Sequence, residues 1–263
     1  MFPTTPLEGL TMDESLYRGF DERAHAFFAQ LRASTNRESP DRMVLKSQFI
    51  RETRRALPTL SSSNLNELRH SFNIAFFAYR KVKRRDGEAY IFHVLRGTLV
   101  LVWAFSRFSV FDLSCCHVLF QHDSYEETED NWYSQVIIRS IVHLVLGRRV
   151  AVDVTHLTQE EAEADEAYAI RLLEEAGWRA LLVKIVERTD NIWTLDEDDS
   201  ERSKRKLHDT VTWFGKIAER LNELMTEEFE AGRLGEEWLK IASFLTGYLW
   251  YAVAEKKREF GIT

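Results

Sequence analysis

Proline and glycine are scarce in this 263-residue chain, with 4 and 11 respectively. All-β sandwiches and barrels need turn residues at short, regular intervals, and so small a supply excludes them. Cysteine is almost absent. The two present, Cys115 and Cys116, are sequence neighbours, where a mutual disulfide would be strained, so they read as reduced thiols on a core helix in a reducing compartment. No apolar run approaches the roughly 20 residues of a membrane span; the longest, Leu99 to Phe105, falls far short. Met1 to Pro6 has neither the basic start nor the apolar stretch of a secretory leader. Excess positive charge is missing too, since 35 Lys and Arg against 42 Asp and Glu leave a net charge of −7. That balance argues against a general nucleic-acid binder, which needs cationic surface to displace counterions from phosphates. A cytoplasmic protein with neither a membrane nor a nucleic-acid polymer as partner is expected.

What is present points to helices. A content of 44% hydrophobic residues, with 7 Trp and 17 Phe, excludes disorder, and the length suffices for a continuous core. Asp13 is placed to cap a helix running to about Arg32, with Phe20, Ala24, Phe27, Phe28 and Leu31 on one face. Further helices are expected over about 42–56, 65–83, 90–107, 111–121 and 132–146. The alternating stretch 149–155 fits a strand, but it is isolated, and a short helix with its cap near Thr158 is preferred. Helices over 159–176, 178–195, 201–229 and 235–259 complete the chain, stopped at Gly177 and at the acidic linker 196–200. The total is about ten helices and no sheet.

The places where polar residues interrupt apolar helices carry the chemistry. His93 sits in Tyr90-Ile91-Phe92-His93-Val94-Leu95, His122-Asp123 closes Val118-Leu119-Phe120-Gln121, and Glu187-Arg188-Thr189-Asp190-Asn191 follows an apolar stretch beginning at Leu181. Burying such groups without partners costs several kcal/mol each, so three interruptions in three core helices imply that they meet. A divalent metal satisfies them together. Two neutral imidazoles and two carboxylates leave positions for water, which suits a catalytic ion better than a closed structural one.

The order His, His-Asp, acidic residue resembles the HD superfamily of metal-dependent phosphohydrolases, and the surrounding residues resemble the RelA/SpoT-type alarmone hydrolases within it. Arg84-Arg85-Asp86-Gly87-Glu88-Ala89-Tyr90-Ile91-Phe92-His93, His122-Asp123-Ser124-Tyr125-Glu126-Glu127-Thr128, Val154-Thr155-His156-Leu157 and Lys184 to Leu195 match four family motifs in order. The resemblance covers roughly residues 75–195. It implies an all-α HD-domain fold with extra N- and C-terminal helices: a helical extension over 1–63, a hydrolase domain over 64–229 and a packed helix over 230–263. It also implies removal of pyrophosphate from the 3′ position of guanosine tetra- or pentaphosphate, (p)ppGpp, with Mn²⁺. By the same resemblance His93, His122, Asp123 and Glu187 are metal ligands, and Glu126 and Glu127 activate the attacking water. Arg84, Arg85, Tyr168, Asn191 and Thr194 match nucleotide-binding positions.

Several residues depart from the family pattern. Glu187 stands where the family has Asp, and Asp190 where it has His. Either carboxylate can reach an ion from one helix face, so the fourth ligand stays open between them. Glu127 replaces an Asp, Val94 a Pro and Ala169 an Arg. Two alternative readings follow: an HD phosphatase acting on another nucleotide such as NADPH, and a binding or regulatory module whose metal site has decayed. With no synthetase domain evident after Leu195, a hydrolase-only form is expected. The last helix carries Trp238, Phe244, Leu245, Tyr248, Leu249, Trp250 and Tyr251, which either pack onto the domain or form a homodimer contact.

Overall fold

The computed structural model describes residues 14–127, 132–195 and 200–262. Asp13, the lead before it, Thr128 to Asp130 of the acidic stretch and the linker 196–199 lie outside the described residues. The described residues form an all-α fold: α1 (Glu14–Ala33), α2 (Arg42–Ala56), α3 (Ser62–Ala78), α4 (Ile91–Phe108), α5 (Leu113–Gln121), α6 (Trp132–Ile141) with a following π turn (Val142–Leu146), α7 (Arg148–Leu157), α8 (Asp165–Glu175), α9 (Trp178–Trp193), α10 (Ser200–Glu230) and α11 (Glu236–Glu259). Side-chain caps fix several starts. Asp41 accepts from the Met43 and Val44 amides, Ser61 from Asn64 and Asp112 from Cys115, each satisfying donors that the first helical turn leaves unpaired.

Two helices form the centre. Every residue of α4 from Ile91 to Phe105 is buried, the outcome expected of a helix apolar all round. α9 packs against α4, α5, α7, α10 and α11, while α5 lies among α3, α4, α7 and α9. One continuous hydrophobic core runs from Tyr17 of α1 to Val253 of α11. On α11, Phe244, Leu245, Tyr248, Leu249, Trp250 and Tyr251 are buried, and Trp238 stacks edge-on against Phe105 and Trp178. The apolar surface that offered a dimer contact is thus consumed within the chain. Cys115 and Cys116 are free and fully buried, and burial drives both thiols well above their ordinary pKa. No helix among the described residues is long and apolar enough to cross a membrane.

Three helices differ from the sequence expectation. α3 stops at Ala78 rather than running to Lys83, because the chain folds back: Arg84 N–H donates to Glu88 O at 2.7 Å, Tyr90 N–H to Val82 O at 3.0 Å, and Gly87 takes a left-handed φ of 80°. The stretch 132–146 is an α-helix only to Ile141 and then widens into the π turn. α8 begins at Asp165, not Gln159. The Gln159 side chain, through Nε2, donates to Glu163 O and Asp165 Oδ1, and Arg171 grips the Glu163 carboxylate and the Thr158 carbonyl. Those local bonds replace the first helical turns. The stretch 149–155 is helical, within α7, and Thr158 is its C-cap.

Candidate metal centre

His93 lies in the first turn of α4, and His122-Asp123 forms the turn that ends α5. Gln121, fully buried, anchors that turn by donating to the Ser71 carbonyl of α3 at 3.0 Å. Three ligand-type atoms converge. His93 Nε2 is 3.2 Å from His122 Nε2 and 3.9 Å from Asp123 Oδ2, and His122 Nε2 is 2.8 Å from the same oxygen. Both histidines are essentially buried.

The partners of the other ring nitrogens decide the tautomers. His122 Nδ1 lies 2.8 Å from the Leu119 carbonyl, and His93 Nδ1 lies 2.6 Å from Asp190 Oδ2. Both partners are oxygens without a hydrogen, so each Nδ1 carries the proton and donates it. Two Nε2 lone pairs then face each other beside a carboxylate. That arrangement is repulsive unless a cation, a metal ion or in its absence a proton on His122, lies among them, and it is the pattern of metal-ligating histidines whose second nitrogen is held by an oxygen. Tyr90 OH donates to Asp123 Oδ2 and orients it.

The charges agree with a cation site. Burial opposes ionisation of Asp123, but His122, His93 and Lys184 outweigh it and hold the carboxyl far below its usual range. Burial keeps His93 below its ordinary pKa despite Asp190. Burial also opposes the charge of His122, yet Asp123 and Glu187 prevail and raise it.

Around this centre the structure sorts the candidate residues. Glu187 stays outside the convergent trio. Asn191 Nδ2 donates to its Oε1, and its Oε2 lies 3.0 Å from Lys184 Nζ. Burial disfavours its charge, but Lys184 and Arg188 win and hold it low, at about 2. Asp190 faces His93 from behind with both oxygens engaged, which removes it as an alternative ligand. Glu126 and Glu127 sit directly after the trio, their amides donating to Asp123 O at 3.1 and 2.9 Å. Glu126 reaches solvent, yet protein crowding and then the negative Asp123 push its carboxyl up to about 7; Glu127 is raised by the same two causes.

The nucleotide candidates divide. Arg84 donates to Asn191 Oδ1 at 3.2 Å and to Thr194 Oγ1 at 2.8 Å, with Nη1 3.6 Å from Asp190. Arg84 thus joins Asn191 and Thr194, more than 100 positions away at the end of α9, in one cluster beside the centre. Arg85 points to solvent. Tyr168 borders the centre on the Glu187 side: its hydroxyl donates to Leu157 O, and Lys184, the partner of Glu187, holds Nζ 5.2 Å from its ring centre.

Sequence reasoning missed Arg96 and Glu88. Arg96 donates to Asp190 and, through Nη1, to Glu88 Oε2 at 2.6 Å. Its signal was legible, because a lone arginine three residues after His93 punctures the same apolar helix. Glu88 stands in a run of charged residues, Arg84 to Glu88, yet is fully buried.

Fold and site together define an all-α domain with a buried cluster of two histidines and an aspartate able to hold a metal ion. The chain is a distant homologue of proteins named as (p)ppGpp synthases and hydrolases. It is 25% identical over 207 residues to a GTP pyrophosphokinase of Streptomyces coelicolor, covering 77% of this chain and 23% of that protein. It is 24% identical over 177 residues to the bifunctional (p)ppGpp synthase/hydrolase SpoT of Escherichia coli, covering 66% and 24%. A guanosine-3′,5′-bis(diphosphate) 3′-pyrophosphohydrolase of Aquifex aeolicus is 27% identical over 222 residues, covering 74% and 30%. The chain therefore spans between a fifth and a third of the length of the curated relatives it matches. No family model matches it.

Proposed function

We propose that this chain removes pyrophosphate from the 3′ position of (p)ppGpp, with Mn²⁺ held by His93, His122 and Asp123. The observation that carries the reading is the pair of Nε2 lone pairs converging on Asp123, with Glu126 and Glu127 one turn away and the Arg84–Asn191–Thr194 cluster beside them. When bound, the ion supplies Lewis acidity toward water and the phosphoryl oxygens. Glu126 takes the proton from the attacking water. Without the ion, burial and the negative Asp123 push its carboxyl up to about 7, and a cation on Asp123 would draw it back toward the ionised form a general base needs. Glu127 shares that face and orients the same water. Arg84, preorganised by Asn191 and Thr194, presents a guanidinium to the anionic nucleotide.

The engagement of Glu187 by Lys184 and Asn191 leaves three protein ligands, which favours a weakened binding module as the second reading. Product analysis tests both. Protein with Mn²⁺ is incubated separately with ppGpp, pppGpp and NADPH; pyrophosphate released from the first two is the expected result. Orthophosphate from NADPH would assign another nucleotide, and intact substrates with no change in His122→Ala would leave only the binding module.

A further inference from the structure

Behind His93 a chain of buried charge runs past Asp190 to Arg96 and Glu88, and none of the roles above uses those two. Asp190 Oδ2 takes the His93 Nδ1 proton at 2.6 Å and also accepts from Arg96 Nη2 at 3.2 Å, while Oδ1 accepts from Arg96 Nε at 2.6 Å. Arg96 Nη1 donates to Glu88 Oε2 at 2.6 Å. The second Glu88 oxygen accepts from Arg32 Nε at 2.8 Å and lies 3.6 Å from Arg37 Nε. Glu88, His93, Arg96 and Asp190 are all buried.

A carboxylate holding an imidazole by one oxygen can still turn about its own side-chain bond. The Arg96 fork removes that freedom, since two parallel donors set the plane of the carboxylate. Oδ2 is then aimed at His93 Nδ1, which fixes the proton there and leaves the Nε2 lone pair facing His122. The alternatives are poor. A buried guanidinium is costly without good partners, and an apolar side chain would pack α4 at less expense. Arg96 has instead a carboxylate on each edge, and one of them touches a member of the metal-ligand trio.

We propose that Arg96 is a positioning residue, fixing the tautomer of His93 through Asp190 and itself held by Glu88, which Arg32 of α1 and Arg37 of the next loop secure. Its use in metal binding rests on the reading under Proposed function, whereas the tautomer is a property of the metal-free protein. His122 is an internal control, because its Nδ1 is held by the Leu119 carbonyl and owes nothing to Arg96.

The test uses the full chain labelled with ¹⁵N-histidine, observed metal-free by side-chain ¹⁵N–¹H correlation spectroscopy and then titrated with Mn²⁺ against a chelating dye. In the unmutated protein, recorded at alkaline pH so that both rings are neutral, His93 and His122 should each show one tautomer, protonated at Nδ1. In Arg96→Gln, His93 should become a tautomer mixture while His122 stays unchanged, and the Mn²⁺ dissociation constant should rise on the order of 10- to 100-fold. In an Asp190→Asn background the same change should add nothing, since its route to His93 is already cut. Arg96→Lys, with one donor point in place of a fork, should be intermediate. If Arg96→Gln does not fold, Glu88→Gln, which loosens the far edge of the guanidinium, is read by the same spectrum. An unmoved His93 tautomer in a folded variant, or losses that add in the double variant, would overturn the proposal. An unmutated chain that takes up no Mn²⁺ would instead sink the metal reading, with the tautomer shift still deciding the role of Arg96.

Discussion

Gly247 of α11 lies against Tyr17 of α1, and replacing it with alanine sets two effects of opposite sign against each other. A methyl group there would overlap the Tyr17 hydroxyl and come within 2.7 Å of its Cζ. Tyr17 is buried and packed by Phe244, Tyr248 and Tyr251 at ring separations of 5.4, 6.4 and 5.9 Å, so it can clear the methyl only by leaving its pocket. Expelling a buried aromatic costs roughly 2–3 kcal/mol, with about 0.5–1.5 more for each ring pair lost. Against that, glycine to alanine inside a helix contributes about 1 kcal/mol. With three ring pairs at stake, the net expectation for Gly247→Ala is a loss of roughly 2.5–6.5 kcal/mol, at about 2–4 °C in Tm per kcal/mol for a chain of this size. Urea unfolding followed by circular dichroism measures it, and the decisive comparison is the background. In Tyr17→Ala the obstacle is gone, so Gly247→Ala should become stabilising by about 1 kcal/mol. Tyr17→Phe, lacking only the hydroxyl, should fall between. An equal loss in both backgrounds, or no loss in the unmutated protein, would refute the close approach of α1 and α11.

Other outcomes follow from the site and its surroundings. Mn²⁺ added to chelator-treated protein at about 100 times its dissociation constant should stabilise the fold by about 2.7 kcal/mol, read as a Tm rise that His122→Ala abolishes. Arg84→Ala should raise KM for the nucleotide about 10- to 100-fold through loss of a charge-assisted contact, whereas Arg85→Ala should change it little; steady-state kinetics with equal effects for the two would contradict the divided loop. His117 on α5 is buried, and desolvation lowers its pKa from 6.5 to about 4. As pH falls below 6.5 the unfolded chain binds a proton there that the folded chain refuses until about pH 4, so stability drops across that window by about 3 kcal/mol. Urea midpoints of His117→Leu, compared with the unmutated protein at pH 7 and pH 4, should show a pH dependence shallower by that amount; parallel profiles would exclude it.

The sequence made the centres of the helices legible because the core helices are apolar enough for each puncture to stand out. His93, His122 and Asp123 were visible for that reason, and the structure brings them together. Boundaries were less legible where side chains bond to nearby backbone, as Gln159 and Glu163 do before α8, since such bonds leave no hydrophobic period. Pairings over long separations were not legible at all. Arg96 and Asp190 stand 94 positions apart, and nothing local in either helix says that one charge is the other's partner. Glu88 shows the same limit from the other side: in a run of charged residues the one that is buried looks like its exposed neighbours until Arg32, Arg37 and Arg96 close around it.

The adjacent thiols of α5 turn the helix that presents His122 and Asp123 into its own chronometer. A thiol that is fully buried and held protonated does not meet an alkylating reagent, so Cys115 and Cys116 react only in the moments when α5 parts from α3, α4, α7 and α9. With reagent in excess over the rate of reclosure, labelling counts openings; with reagent limiting, it reports the free energy of opening. The same two atoms thus record, without any added probe, how often the ligand-bearing end of the domain comes apart and how firmly a bound ion keeps it shut.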